Sequence, residues 1–320
     1  MDDSTEMIPK NGLITLIVNP KSGASSNKRL VSGFRAYLDQ KGYPLKVEFT
    51  RSLEHGRQLA QQAAANPDCS LVVGAGGDGT IREVVCGLSG SAKPLLVLPC
   101  GTENLLANEL GYDVRLETVI NAFENGQLRS LDLGKANDIY FTSIAGFGFD
   151  GKVVQRVQAV RKGHISHLTY FWPIWRTFWD YTFPPMKVFI DGNAFFEGPG
   201  LVFVGNISRY AIGLEILKKA NYSDGLLDVC IFRCASCWKL LKHAACTVLK
   251  THLKSRNTLY TQAKSIRIES SVNHIPTELD GDPGPALPVD ISIIPAAIQV
   301  VVPPGAKPAG IRTRIRRMIG

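Results

Sequence analysis

The chain has 320 residues, of which 45% are hydrophobic and 20% are charged. This share of apolar residues excludes a disordered or fibrous chain, and the length is enough for about two domains. A formal net charge of +8 indicates an acidic partner, which nucleic acid, a nucleotide or an anionic membrane could each provide.

Targeting signals and cysteine usage indicate the compartment. No apolar run approaches the roughly 18 residues that a membrane-spanning helix needs, and the acidic N-terminus lacks a signal-peptide pattern. The seven cysteines are odd in number and widely scattered, which favours a reducing environment. We therefore expect a cytoplasmic protein.

The first 135 or so residues alternate short apolar runs with amphipathic helical patterns. The predicted strands lie at 13–18, 45–49, 70–73 and 95–98. The predicted helices lie at 28–41, 53–65, 80–88 and 103–110. Repeated strand–helix units of this kind predict a parallel sheet covered by helices.

Strand patterns dominate after about residue 136, with helical insertions at 151–181 and 236–251. The predicted strands lie at 139–145, 186–190, 194–197, 200–205, 226–232, 265–269, 289–294 and 298–302. Asp191 and Gly192 form a typical hairpin turn between two of them. Many short strands with few helices predict an all-β sandwich.

The predicted fold class is therefore α/β with two domains. We place the α/β domain at residues 1–136 and the β-sandwich domain at 137–304. Residues 305–320 form a tail with one lysine, four arginines and no acidic residue.

A glycine-rich turn, Gly74–Thr80, follows the third predicted strand and opens a helix. Glycines let the backbone approach phosphate oxygens, and a helix N-terminus favours negative charge. Asp78 would repel a phosphate by itself, so we expect it to hold a divalent cation. A tight turn capped by Asp78 is the alternative. No GxxxxGK[ST] run is present, which excludes a Walker-type NTPase.

Two further polar loops, Asn19–Gly23 and Pro99–Asn104, follow the first and fourth predicted strands. Taken singly, each is as consistent with a plain turn as with an anion site. The carboxyl ends of parallel strands lie along one edge of a sheet, where ligands bind. Together with Gly74–Thr80, the loops predict one binding site.

Three motifs resemble the diacylglycerol kinase catalytic family: NPKSG at 19–23, GGDGT at 76–80 and GTEN at 101–104. That family includes sphingosine, ceramide and bacterial lipid kinases, and is distantly related to NAD kinases and phosphofructokinases. Tyr222–Asp228 and Leu279–Asp282 are similar to later segments of the family. The resemblance extends over nearly the whole chain, and NPKSG together with the two later segments favours the lipid-kinase branch.

The resemblance implies a Rossmann-like nucleotide-binding domain, with ATP and Mg²⁺ in a cleft beside the β-sandwich. It also implies that the basic tail packs back on the first domain. The residues that it implies at the nucleotide site lie in the three loops, at the end of strand two and in the late acidic segment: Asn19, Lys21, Ser22, Gly23, Thr50, Gly76, Gly77, Asp78, Gly79, Thr80, Gly101, Thr102, Asn104 and Asp282.

Catalytic roles follow from the same resemblance. Asp280 occupies the position of the general base that takes a proton from the lipid hydroxyl, and Asp78 would organise Mg²⁺. Asp224 and Asp228 match a segment that can hold a structural divalent ion. This agrees with the chemistry, because phosphoryl transfer to a neutral alcohol needs charge neutralisation and a nearby base. Asp282 departs from the glutamate that is common in the family, which affects the expected metal geometry.

An aromatic and basic stretch runs from Lys152 to Phe183. Trp172, Trp175 and Trp179 share one helical face there. Such a mixture is typical of the headgroup level of a bilayer, so we predict peripheral contact with an anionic membrane. Aromatic packing between the two domains is the alternative. The arginine-rich tail could likewise contact anionic lipid or be solvated.

Two other functions are less well supported. Several cysteines and a histidine have spacings near those of zinc sites, but they fall in a strand and a helix, which favours buried thiols; they are Cys230, Cys234, Cys237, His243 and Cys246. No RNA- or DNA-binding pattern supports a nucleic-acid partner.

The sequence thus predicts an ATP- and Mg²⁺-dependent lipid kinase acting on a diacylglycerol-like or sphingoid-like hydroxyl. A kinase of a soluble substrate, such as an NAD kinase, is an alternative, although NAD kinases lack the NPKSG opening. A catalytically silent regulatory protein that keeps the fold is a second alternative, which the presence of both Asp78 and Asp280 disfavours. The sequence leaves the oligomeric state open, a homodimer included.

Overall fold

The computed structural model describes residues 12–22, 25–160, 167–272 and 274–306. The helices there are α1 Ser25–Lys41, α2 Leu53–Ala65, α3 Asp78–Leu88, α4 Leu105–Glu109, α5 Leu116–Asn125, α6 Phe149–Val160, α7 His167–Asp180 and α8 Cys237–Val248, with 3₁₀ turns at Ala211–Gly213 and His252–Lys254. The strands are β1 Leu13–Val18, β2 Leu45–Phe49, β3 Cys69–Gly76, β4 Leu95–Pro99, β5 Gln127–Ala136, β6 Ile139–Phe141, β7 Ile144–Phe147, β8 Pro185–Ile190, β9 Asn193–Gly205, β10 Leu227–Arg233, β11 Thr258–Ala263, β12 Ser265–Glu269, β13 Thr277–Leu279, β14 Asp282–Pro283 and β15 Val289–Val302.

The N-terminal strands form the predicted parallel sheet, in the order β2-β1-β3-β4. The central strands are buried because helices cover both faces, which explains their continuous apolar sequences. The order of the strands reverses between β1 and β3, so their carboxyl ends diverge from a common crevice. This crevice is where the loops of the candidate site lie.

The C-terminal strands form the predicted β-sandwich. Strand β9 belongs to both layers, because its first half pairs with β8 and its second half pairs with β7 and β10. The core between the layers is built from aliphatic residues such as Val188, Val202, Val229 and Ile266. The chain is therefore an α/β domain joined to a β-sandwich.

Strands β5 and β15 connect the two parts. They pair antiparallel along most of their length, and Val300 of β15 also pairs with Leu95 in the parallel sheet. The sequence predicts two strands at 289–294 and 298–302, whereas the structure joins them through a register shift around Pro295. A proline has no N–H for the ladder, so a bulge accommodates it without ending the strand.

Several elements differ from the predictions. Helix α5 and strands β5, β11, β13 and β14 were not predicted. The predicted strand 139–145 is two strands, since the backbone of Thr142 and Ser143 turns towards the Asp280 carboxylate. The predicted helical insertion 151–181 is likewise two helices, α6 and α7.

Helices α7 and α8 lie on the outer side of the β10 layer. The aromatic residues Phe203 and Phe232 form a core there, with Tyr181, Leu240 and others packed around it. None of the helices in the described residues is long and apolar enough to cross a membrane.

Candidate functional site

The loop after β1 is bound to the glycine-rich turn after β3. The Asn19 side-chain amide donates to Thr80 Oγ1 at 2.8 Å. The backbone N–H of Gly77 donates to Ser22 Oγ at 3.4 Å. Four of the predicted nucleotide residues are thus brought together at the point where the strand order reverses.

The glycine-rich turn also contacts the loop after β4, backbone against backbone. A Cβ on Gly101 would lie 2.6 Å from the Cα of Gly77, which no side chain could tolerate. A Cβ on Gly76 would lie 2.4 Å from the Cβ of Thr80. Glycines at these positions therefore let the turn and the loop pack this closely.

Asn104 closes the third loop. Its side-chain oxygen accepts from the Gly101 N–H at 2.6 Å, and its amide nitrogen donates to the Gly101 carbonyl at 3.1 Å. Asn104 has a φ of 49°, a left-handed conformation that asparagine tolerates better than most residues. Asn104 is one of the residues predicted at the nucleotide site, and these bonds show that its side chain shapes the loop.

The other residues predicted for the nucleotide site lie around these contacts. Thr50 is buried at the end of β2, Gly79 is half-buried in the first turn of α3, and Lys21 and Thr102 are exposed. Gly23 lies outside the described residues.

Asp78 is half-buried at the start of α3. Burial raises the pKa of this carboxyl to about 6; the Leu106 N–H opposes the rise and the nearby charge of Asp280 adds to it. The Leu106 N–H lies 3.4 Å from Asp78 Oδ1. A partly desolvated carboxylate near a second one suits a hard divalent cation, so the donor set fits Mg²⁺.

Asp280 and Gly281 form the hairpin turn between β13 and β14, with φ values of 51° and 82°. Positive φ at both central residues is the geometry that an Asp-Gly pair favours. The Asp280 carboxylate accepts from three successive backbone N–H groups, those of Thr142 at 2.8 Å, Ser143 at 2.8 Å and Ile144 at 3.0 Å. The turn is thus bound to the break between β6 and β7.

A fourth donor to Asp280 is the Thr142 hydroxyl, at 3.0 Å from Oδ2. Each carboxylate oxygen accepts about two hydrogen bonds, so all the acceptor positions are filled. The backbone holds three of the four donors, but the hydroxyl of Thr142 can rotate. An incoming alcohol can therefore reach Asp280 by replacing this hydroxyl.

Arg82 links α3 to the same turn. It lies one helical turn after Asp78, is only 8% exposed, and donates to Asp282 Oδ2 at 2.9 Å and to the Leu279 carbonyl at 3.3 Å. Asp282, which the resemblance places at the nucleotide site, is ion-paired with Arg82. The helix that follows the glycine-rich turn is therefore tied directly to the Asp280 hairpin.

Two buried carboxyls lie beneath the hairpin. Glu278 Oε2 accepts from the Gly281 N–H at 2.8 Å, and the Tyr210 hydroxyl donates to Asp150. The second oxygens of the two carboxyls, Glu278 Oε1 and Asp150 Oδ2, both face Gly146. Each lies within 3 Å of the position that a Cβ on Gly146 would take. Burial and the neighbouring Asp150 raise the pKa of Glu278 well above its usual range, and burial also raises that of Asp150. Burial therefore favours the protonated, neutral form of each carboxyl.

The predicted metal pair, Asp224 and Asp228, lies at the start of β10, away from these loops. Tyr260 donates to the fully buried Asp228 at 2.5 Å. Gln262 Nε2 donates to Asp228 at 3.2 Å and to Asp224 at 3.3 Å, where a shared cation would otherwise lie. Among the described residues, no three His, Cys, Asp or Glu side chains form a metal-binding group. A metal site here stays a prediction.

Sequence reasoning missed the residues that support the hairpin. Arg82 had one signal, its position four residues after Asp78 on the same helical face. Thr142 and Ser143 had a different sequence signal, since they are a polar pair inside an apolar run.

Asp132 had no sequence signal. It is 2% exposed within β5, and the charged residues around it hide the strand pattern.

The tryptophans of α7 face outward. Trp172, Trp175 and Trp179 are 65%, 48% and 54% exposed, so these rings do not pack between the domains. Arg156 of α6 donates to Asp180 at the end of α7, at 3.0 Å. The predicted basic residues between the two helices and those of the C-terminal tail lie outside the described residues.

Comparison with known proteins agrees with this architecture. The diacylglycerol kinase catalytic domain family matches residues 13–136, and the YegS C-terminal NAD kinase beta sandwich-like domain family matches residues 143–302. A diacylglycerol kinase of Bacillus subtilis is 28% identical over 294 residues, which are 90% of this chain and 95% of the relative. One of Mycobacterium tuberculosis is 29% identical over 299 residues, covering 91% and 96%.

Solved structures show the same fold. The crystal structure of a diacylglycerol kinase from Bacillus anthracis superimposes with a TM-score of 0.67 at 19% identity, covering 93% of this chain and 98% of that one. Another crystal structure from this organism has a TM-score of 0.75 at 22% identity, covering 92% and 98%. The chain therefore combines a domain of the diacylglycerol kinase catalytic family, at residues 13–136, with a domain of the YegS C-terminal NAD kinase beta sandwich-like family, at residues 143–302.

Proposed function

We propose that this protein is an ATP- and Mg²⁺-dependent lipid kinase that phosphorylates the hydroxyl of a diacylglycerol-like or sphingoid-like lipid. One observation carries the proposal. Helix α3 begins at the phosphate-binding turn with Asp78, and its next turn holds the Asp280 hairpin through Arg82. One helix thus begins at the proposed nucleotide site and holds the turn that carries the candidate base for the acceptor alcohol.

The three loops bind the nucleotide. The loops pack closely around Gly76, Gly77 and Gly101, and the N-terminus of α3 adds a partial positive charge beside them. Asn19 and Ser22 hold the first loop against this turn, so the loops form one cradle.

Asp78 would hold Mg²⁺, which when bound neutralises the charge that develops on the phosphates. Burial of this carboxyl keeps the interaction strong, since little water screens it. Arg82, with its charge buried beside the hairpin, orients the acidic turn without taking part in the transfer.

Asp280 acts as the general base. The three backbone donors fix its position, while replacement of the Thr142 hydroxyl by the lipid hydroxyl gives the substrate access to Oδ2. The proton of the alcohol passes to this oxygen as the phosphoryl group is transferred.

The acceptor is a lipid. The curated relatives are diacylglycerol kinases that align along almost their whole length. The exposed tryptophans of α7 are suited to the headgroup level of a bilayer. We place the protein in the cytoplasm, where it contacts an anionic membrane surface peripherally.

An assay of wild-type protein with labelled ATP, Mg²⁺ and candidate acceptors in mixed micelles tests the proposal. We expect phosphorylation of a diacylglycerol or a sphingoid base and none of NAD. Phosphorylation of NAD but no lipid would establish the soluble-substrate alternative. ATP binding without transfer to any acceptor would favour a silent regulatory protein.

A further inference from the structure

Helix α8 exposes an apolar stripe. Trp238, Leu241, Ala245 and Val248 follow the spacing i, i+3, i+7 and i+10, so they lie on one face. Trp238 is 73% exposed, Leu241 50% and Val248 64%, and Leu249 just beyond the helix is 70% exposed. A surface helix normally turns such a stripe towards the core. In α8 the apolar stripe faces the solvent instead.

The reversal is fixed by the opposite face of α8. His243 and Thr247 are buried there, and the His243 ring nitrogen Nε2 lies 3.2 Å from the Arg233 carbonyl. The ring of His243 also packs on Phe232, with centroids 4.9 Å apart. Leu240 completes the contact with the sheet. The helix cannot roll its apolar stripe inward without burying lysines and breaking this packing.

The surroundings of the stripe are basic. Residues 229–268 contain eight lysines and arginines and no acidic residue. Lys239 and Lys242 are exposed beside the stripe, and no carboxylate in the described part of the chain forms an ion pair with either. The stripe therefore carries unbalanced positive charge along one side.

This combination matches the boundary of an anionic bilayer. Apolar and aromatic side chains enter the headgroup region, and adjacent lysines attract anionic lipids. A second copy of the chain fits less well, since a two-fold contact would bring the same lysines together without acidic partners. Charge complementarity thus selects the lipid surface.

Helix α8 begins beside the end of α7. Cys237 Sγ donates to the Phe178 carbonyl at 2.8 Å. Trp179, the residue after Phe178, is among the exposed tryptophans of α7. We infer that α8 is a membrane-docking helix for anionic bilayers, which acts with the tryptophan face of α7. The inference rests on the proposed lipid substrate, since a lipid kinase must work at the bilayer surface.

Vesicle flotation of the full chain tests the inference. The vesicles are phosphatidylcholine alone or mixed with phosphatidylglycerol. The double variant Trp238→Ala, Leu241→Ser should bind mixed vesicles at least about tenfold more weakly, because it removes inserted apolar area. The double variant Lys239→Gln, Lys242→Gln should lose roughly fivefold per lysine on mixed vesicles and little on phosphatidylcholine.

The matched control is Val114→Ser, Leu128→Ser. These residues are 60% and 45% exposed on the N-terminal domain, so the change removes exposed apolar surface away from α8. Flotation of this control should equal that of the wild type, and circular dichroism should show that every variant is folded. If both α8 variants floated with the vesicles as strongly as the wild type does, the inference would be overturned. The inference would also be overturned if the wild type sedimented as a dimer and the α8 variants as monomers while flotation stayed unchanged. That result would assign the stripe to a contact with a second copy.

A dispersed short-chain diacylglycerol separates this inference from the proposed function. The α8 variants should phosphorylate it at the wild-type rate, because their catalytic loops are unaltered. Reduced flotation of the variants, with no phosphorylation by wild type of this diacylglycerol or of a dispersed sphingoid base, would refute the kinase proposal and leave the docking helix standing. Normal flotation with normal phosphorylation would refute the docking helix alone.

Discussion

Two Asp-Gly turns in the β-sandwich have nearly the same backbone and very different surroundings. Asp191 and Gly192 have φ values of 47° and 84°, and Asp280 and Gly281 have 51° and 82°. Both carboxylates accept backbone N–H groups from a neighbouring segment; Asp191 Oδ1 does so from Lys264 and Ser265 at 3.1 and 2.9 Å. The local sequence therefore determines the turn in both places.

The neighbours determine what each turn can do. Asp191 is exposed at the edge of the sandwich. Asp280 lies close enough to Asp78 to raise its pKa, and Arg82 holds the same turn from α3. An identical hairpin becomes a candidate catalytic turn only where the other domain meets it.

The largest expected effect is the loss of the base. Asp280→Asn keeps the turn, since asparagine also favours positive φ, but removes the proton acceptor. We expect kcat to fall about 100- to 10,000-fold with nucleotide binding unchanged. The matched change Asp191→Asn should leave kcat unaltered. Full activity in Asp280→Asn, measured with labelled ATP, would refute the base assignment.

Breaking the Arg82 link should have the next largest effect. Arg82→Met leaves Asp282 unpaired in a partly buried site, so we expect about 3 kcal/mol lower stability by denaturant unfolding. Because Arg82 positions the hairpin, kcat should fall about tenfold while the KM for ATP stays the same. Arg82→Lys should restore part of the stability but little of the rate, since lysine lacks the planar fork. Equal loss of kcat and ATP affinity would indicate a general structural role instead.

The raised pKa of Glu278 beneath the hairpin predicts a pH dependence of stability. The pKa of Glu278 is raised in the folded state, so the unfolded state loses its proton first, and stability falls as pH rises above about 4.5. Glu278→Gln keeps the hydrogen bonds without titrating. Relative to wild type, its melting temperature should therefore rise with pH from mildly acid to neutral conditions. The exposed control Glu54→Gln should follow the wild-type curve. Parallel curves for Glu278→Gln would exclude a raised pKa of Glu278 in the folded protein.

The smallest effect concerns access to Asp280. Thr142→Val removes the hydroxyl that occupies Oδ2 and leaves the three backbone donors in place. We expect the KM for a short-chain lipid to fall about fivefold, the value of roughly one hydrogen bond. Thr142→Ser keeps the hydroxyl and should behave as wild type. A higher KM in Thr142→Val would mean that the hydroxyl binds the substrate rather than competing with it.

Local patterns predicted much of the fold and part of the site. The four strand–helix units and the loops at Asn19, Gly76 and Gly101 were readable, because strand periodicity and glycine act over a few residues. The join of β15 through Pro295 was not, since the partner strand β5 is remote in sequence. The zinc-like cysteines show the limit of spacing alone, as they divide between a strand and a helix.

Backbone preferences and hydrophobic periodicity make the turns, and the residue types that gather at the strand ends, readable from the sequence. The tertiary structure brings Arg82 to Asp282, 200 residues away, and buries Glu278 beside Asp150. It also decided that α8 turns its apolar stripe outward. Periodicity predicts that a helix has two faces; packing against the sheet decides which of them is left for a membrane.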